Sequence, residues 1–199
     1  MVKHLYILIA IILIVVSIAS AGDTAEDVLA DVKLGITAKE LLNKYPSLYK
    51  HNLVMGETLY EACNQNNLEV FTFADTIWSK GYITNIWIHY ADVSVCRDET
   101  GALPDLSLSP STAGGVTLGS SEKDIINKYG EPNDRKDLKD GSSILRYKIS
   151  SPKDKFSLVN ILLVFTVDND KVVSISLIGD RPEDLQRKND IENCFKNIM

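Results

Sequence analysis

The sequence predicts an α+β protein of two tandem units, each a helix packed on an antiparallel three- to four-stranded meander, with a further helix at the C-terminus. Three observations predict it. Leu34 to Pro46 returns without a gap as Leu118 to Gly130, keeping Leu, Gly, Lys, Asn, Lys and Tyr at matching places. A stretch used twice is a statement about architecture. Each copy opens on a helix-start signal and ends on a stop. Each is then followed by alternating apolar runs separated by turn residues.

The elements follow in chain order. Lys3, the apolar run Leu5 to Ile18 and the small residues Ala19-Ser20-Ala21 form an export leader over 1–21, with the mature chain beginning at Gly22. The competing reading, an uncleaved anchor, is disfavoured because the run is short for a membrane span. The first unit occupies 22–99. Asp23 to Val32 reads as a short amphipathic helix. Thr37 and Glu40 form a capping box for the next helix, whose apolar face is Leu41, Leu42 and Tyr45 and whose stop is Pro46. Strands are expected over Thr58–Cys63, Leu68–Ala74 and Ile83–Tyr90, with Ser79-Lys80-Gly81 turning between the last two.

Residues 100–115, rich in Gly, Ser and Pro, read as a linker. The second unit, 116–180, repeats the plan. Ser121 and Asp124 cap its helix, Ile125, Ile126 and Tyr129 face its core, and Gly130 stops it. Strands follow over Ile144–Ile149, Ser157–Val167 and Val172–Ile178. Asp168-Asn169-Asp170 reads as the turn between the last two rather than as a calcium loop, since it lacks the Gly and the distant Glu. Asp180 and Pro182 then start a C-terminal helix over 181–199, with an apolar stripe of Leu185, Ile191, Cys194, Phe195 and Ile198.

The full chain of 199 residues carries a net charge of −6, and loss of Lys3 with the leader makes it −7. Such a balance argues against nucleic acid or an anionic membrane as partner. No other segment is long and apolar enough to span a membrane. Export makes a disulfide plausible among Cys63, Cys96 and Cys194. Cys96–Cys194 is preferred because it would tie down a terminal helix, with Cys63–Cys96 close behind. No metal site is expected, since no close Cys pair or adjacent His occurs.

Enzymatic signatures are absent. The mature chain holds only His51 and His89, and it has no nucleophile elbow, phosphate-binding glycine loop or zincin motif. No catalytic residue and no cofactor is therefore assigned. The aromatic residues are more suggestive. Trp78, Tyr82, Trp87 and Tyr90 crowd one hairpin of the first unit, and the second unit has no Trp. Alternation places Ile86, Ile88 and Tyr90 on one strand face, and Trp87 and His89 on the other. Trp78, Tyr82, Trp87 and His89 are thus candidate protein-binding residues, because aromatic side chains supply contact area at low entropy cost. Trp87 packing between the two units is an equal alternative, and a half-exposed strand histidine is the plainer reading of His89.

The segment Leu34-Gly35-Ile36-Thr37, with Glu40-Leu41-Leu42 after it, resembles a Gly-Met-Thr-x-x-Gln-Val-Leu signature found in small secreted repeat proteins. The likeness is to the beta-lactamase inhibitory proteins, which pair two helix-plus-meander units, and to the SmpA/OmlA-type outer-membrane assembly lipoproteins, which use one. It implies a non-enzymatic binding scaffold. It departs from the first family in having no cysteine within the second unit, and from the second in lacking a lipidated N-terminal Cys. No partner-contacting residue carries over. The expectation is an exported, non-catalytic binding module, secreted or periplasmic, acting on another extracytoplasmic protein through a sheet face. A structural or assembly factor of a cell-envelope complex is the alternative, and an enzyme of unknown type the least favoured.

Overall fold

A computed structural model describes residues 27–53, 56–75, 81–91, 96, 103–106, 108–149 and 158–180. In chain order the elements are β1 (Val28–Leu29), β2 (Val32–Lys33), α1 (Ala38–Lys44), β3 (Tyr49–Asn52), β4 (Thr58–Asn64), β5 (Glu69–Asp75) and β6 (Asn85–Tyr90). They continue with α2 (Glu122–Tyr129), β7 (Asp134–Asp137), β8 (Ser143–Ile149), β9 (Val159–Asp168) and β10 (Lys171–Asp180). The leader and the C-terminal helix read over 181–199 lie outside the described residues.

The fold class differs from the expectation. The chain is mostly β, and it does not build two helix-on-meander units: its main strands form one antiparallel sheet of eight, ordered β3-β4-β5-β6-β10-β9-β8-β7. The physical reason lies at β6 and β10. A four-stranded sheet ending on either would leave a row of backbone N–H and C=O groups unpaired beside apolar side chains, and small sheets bury little. The two strands instead pair with each other, with Ile88 opposite Ile175 and Ile86 opposite Leu177. Of the described elements, α1 and α2, of seven and eight residues, are too short to organise separate layers.

Both helices begin as local chemistry dictates. The Thr37 side chain accepts from the Glu40 backbone N–H at 3.1 Å, and the Glu40 carboxylate accepts from the Thr37 backbone N–H at 2.7 Å. Ser121 and Asp124 repeat the exchange at 3.2 and 2.9 Å. Gly130, at φ +76°, stops α2 in a backbone region that glycine adopts without strain. Leu41 and Ile125 drive the helices onto one face of the sheet, where Phe71, Phe73, Ile86, Leu163 and Phe165 are buried. Tyr129, Tyr147 and Phe165 stack there with ring centroids 5.5 to 5.9 Å apart. Among the described residues, no helix is long and apolar enough to cross a membrane.

One further reading is corrected, and two are sharpened. The described part of the expected Asp23–Val32 helix is a tight hairpin, β1–β2, turning at Ala30 and Asp31 with φ +53° and +58°. Leu29, Ala30 and Val32 are all buried there, so no polar helical face exists to present to water. The 100–115 segment is packed rather than loose in its described residues. Cys63 N–H donates to the Pro104 carbonyl and Leu106 N–H to the Cys63 carbonyl, both at 3.0 Å, and Leu103 and Leu108 are buried. The disulfide joins Cys63 to Cys96, with Cα atoms 5.7 Å apart; this is the second of the two expected pairings and replaces the preferred Cys96–Cys194. Cys63 lies at the end of β4, and the bonded pair shares a small core with Val70 and Leu103.

Candidate functional site

α1 and α2 lie on one face of the sheet. On the other, the Cys63–Cys96 bond and Leu103 pack over the corner formed by Cys63 and Val70, next to His89, and the remaining described strand residues present their own side chains. Register fixes which they are. One row crosses all eight strands: Tyr49, Glu61, Thr72, Trp87, Ser176, Val164, Arg146 and Asp134. Its two halves differ in chemistry. From β3 to β6 it is aromatic and acidic. From β10 to β7 it has no aromatic residue: Ser176 and Val164 lead to an ion pair between Arg146 and Asp134.

Glu61 organises the first half. Its carboxylate pairs with His51 Nε2 at 2.8 Å and accepts from the Thr72 hydroxyl at 3.1 Å. The Tyr49 ring meets His51 edge-on, with centroids 4.4 Å apart. Tyr49 is 47% exposed, whereas Thr72 is buried and Trp87 half-buried. His89 keeps much of its surface in solvent. Desolvation by its neighbours nevertheless lowers its imidazole pKa, and the Glu61 carboxylate partly offsets this. The imidazole of His89 is therefore predominantly neutral near neutral pH.

Of the four residues singled out from the sequence, Trp87 and His89 share this face as alternation predicts. Trp87 stands opposite Thr72 on one side and Ser176 on the other, so it lies on the β6–β10 seam. Tyr82 is elsewhere: it bridges to Thr37 at the start of α1. Trp78 lies outside the described residues. Sequence reasoning missed Tyr49, His51 and Glu61 as members of the cluster. They meet only through the β3–β4 register, and β3 carries no apolar alternation that announces a strand.

The chemical capacity of the cluster is limited. Thr72 donates to Glu61, and His51 spends Nε2 on the same carboxylate, so neither arms a nucleophile. Among the described residues, no group of three His, Cys, Asp or Glu side chains is placed to hold a metal ion. The arrangement suits recognition: a carboxylate with fixed hydrogen bonds, flanked by Tyr49 and Trp87, offers both polar and apolar contact.

No protein-family model matches this chain, and no curated protein matches it. Among solved structures, an extracellular protein containing an SCP domain from Bacillus anthracis str. Ames aligns with 84% of this chain and 50% of its own, at 13% identity and a TM-score of 0.43. The chain thus spans half of that protein's length, and a likeness this shallow carries no argument about fold or function.

Proposed function

We propose that this protein is an exported, non-catalytic protein-binding module whose recognition surface is the sheet face opposite the helices, centred on Glu61, Trp87 and His89. The observation that carries the reading is the uneven face itself. The aromatic side chains of the row, Tyr49 and Trp87, flank the Glu61 cluster on β3 to β6, while the matching half has no aromatic residue and spends its charges on the Arg146–Asp134 ion pair. The likeness of the Leu34–Leu42 segment to secreted inhibitor and assembly proteins supports the same class of function. The partner is another extracytoplasmic protein. The leader and the buried Cys63–Cys96 bond support an oxidising, extracytoplasmic location, secreted or periplasmic.

Binding through this face is tested by capture from extracytoplasmic extract on immobilised protein. The Trp87→Ser, His89→Ala double variant should lose the captured protein while its circular dichroism stays that of the wild type. A Lys123→Ala variant, altered on the exposed surface of α2, should keep it. Equal capture by all three proteins removes the proposed surface.

A further inference from the structure

The two edges of the sheet are built differently. β7, at one edge, reads Asp-Arg-Lys-Asp, with every residue exposed. Arg135 bonds Asp137 and Glu122, and Arg146 bonds Asp134. A charged, internally paired edge of this kind repels added strands. β3, at the other edge, pairs only with β4, and its outward backbone groups bond to no described residue. Tyr49 and the adjoining Leu53 are two of the three exposed large apolar side chains among the described residues, at 47% and 42%. An open backbone ladder flanked by exposed apolar side chains has the form of a strand acceptor.

Its charge selects the occupant. Residues 41–56 contain Lys44 and Lys50 and no acid, on a chain whose net charge is −6. Lys50 shares the helix-side face with Tyr60, whereas Tyr49 and His51 share the opposite face with Glu61 and Leu59. A second copy of the chain fits poorly. A two-fold axis normal to the sheet at Lys50 sets Lys50 opposite Lys50, and like charges repel when directly opposed; an axis at Tyr49 or His51 sets Lys50 opposite Leu48 or Asn52 and gives its charge no acidic partner.

We propose that β3 accepts an extended segment of a partner protein by strand addition, the segment placing an acidic residue opposite Lys50 and apolar residues opposite Tyr49 and His51. This goes beyond recognition through the Trp87 face, because the atoms that bind are the backbone groups of the edge. The full mature chain, labelled with nitrogen-15, is titrated with a capped heptapeptide alternating valine and glutamate. Its valine–lysine twin and a version of the acidic peptide N-methylated at alternate amides serve as controls.

The acidic peptide should shift the amides of residues 49–52 and bind about fivefold tighter than its lysine twin. The N-methylated peptide should not bind, since it cannot complete the ladder. Lys50→Glu should invert the preference between the two peptides, and Trp87→Ser should leave it unchanged. Absence of binding, equal affinity for both peptides, or shifts gathered on β7 or around Trp87 overturns the proposal. So does concentration-dependent self-association mapped to β3. Loss of extract capture in the Trp87 variant with peptide binding intact separates the two surfaces.

Discussion

Reducing the disulfide should cost this protein a large share of its stability. Cys63 and Cys96 are 33 residues apart and both fully buried. Closing a loop of that length removes unfolded-state entropy worth about 4 kcal/mol near room temperature. With a urea dependence of about 2 kcal/mol per molar, the unfolding midpoint should fall by about 2 M when the bond is reduced. The assay is urea denaturation followed by circular dichroism, with and without dithiothreitol in every sample. The covalent chain is otherwise unchanged, so no cavity enters the comparison. Cys194→Ala should leave the redox-dependent shift in place, and Cys63→Ala should abolish it. A midpoint shift below about 0.5 M refutes the loop-entropy argument. A shift that survives Cys63→Ala and vanishes in Cys194→Ala refutes the pairing itself.

Other expectations follow from the caps, the core and the titrating groups. Ser121→Ala removes a cap that bonds the Asp124 backbone N–H at 3.2 Å, and should cost about 1 kcal/mol and lower Tm by about 2–4 °C. Hydrogen bonds from Ser121 hold the Asp124 carboxyl below its ordinary value of 3.8, so its contribution is present above that pH and is lost as pH falls through the lowered value. The Ser121→Ala variant should therefore show a shallower acid decline in Tm. Burial, with Glu131 and Glu122 adding, pushes the Tyr147 phenol up to about 12. Its stabilising share is complete below the ordinary value of 10.0 and is lost as pH rises towards 12; Tyr147→Phe should flatten alkaline unfolding followed by Tm. Phe165→Ala, at a fully buried site ringed by Tyr129 and Tyr147, should cost about 3–5 kcal/mol in urea denaturation.

The parts legible in the sequence were those set by near neighbours. Thr37 with Glu40 and Ser121 with Asp124 announce their helices because each cap is complete within four residues. Alternation over Ile161 to Val167 and over Val173, Ile175 and Leu177 places β9 and β10 within a few residues, although a bulge between Val172 and Ser174 buries Val172 in place of Val173. The edge strands were not legible. β3 and β7 read Tyr-Lys-His-Asn and Asp-Arg-Lys-Asp, and a strand with one open side need not alternate. The fold class is not legible in the sequence because the pairing of Ile88 with Ile175 joins distant segments, and no local signal reports it. The face carrying Trp87 and His89 was legible from the period of two. Glu61 and His51 were not, since their contact depends on the register of β3 against β4. Cysteine spacing alone left the bridge undecided between two pairs.

The β6–β10 junction also sets the order of events as the chain emerges. β6 is complete well before β10 leaves the ribosome, and until then Ile86 and Ile88 sit on a strand paired with β5 on one side and open on the other. Closure waits for the last described strand, so folding is governed by a long-range step and should be slow for a chain of this size. During that wait a β10 strand from a neighbouring molecule satisfies the same register. Crowded synthesis of this protein therefore favours strand-swapped assemblies.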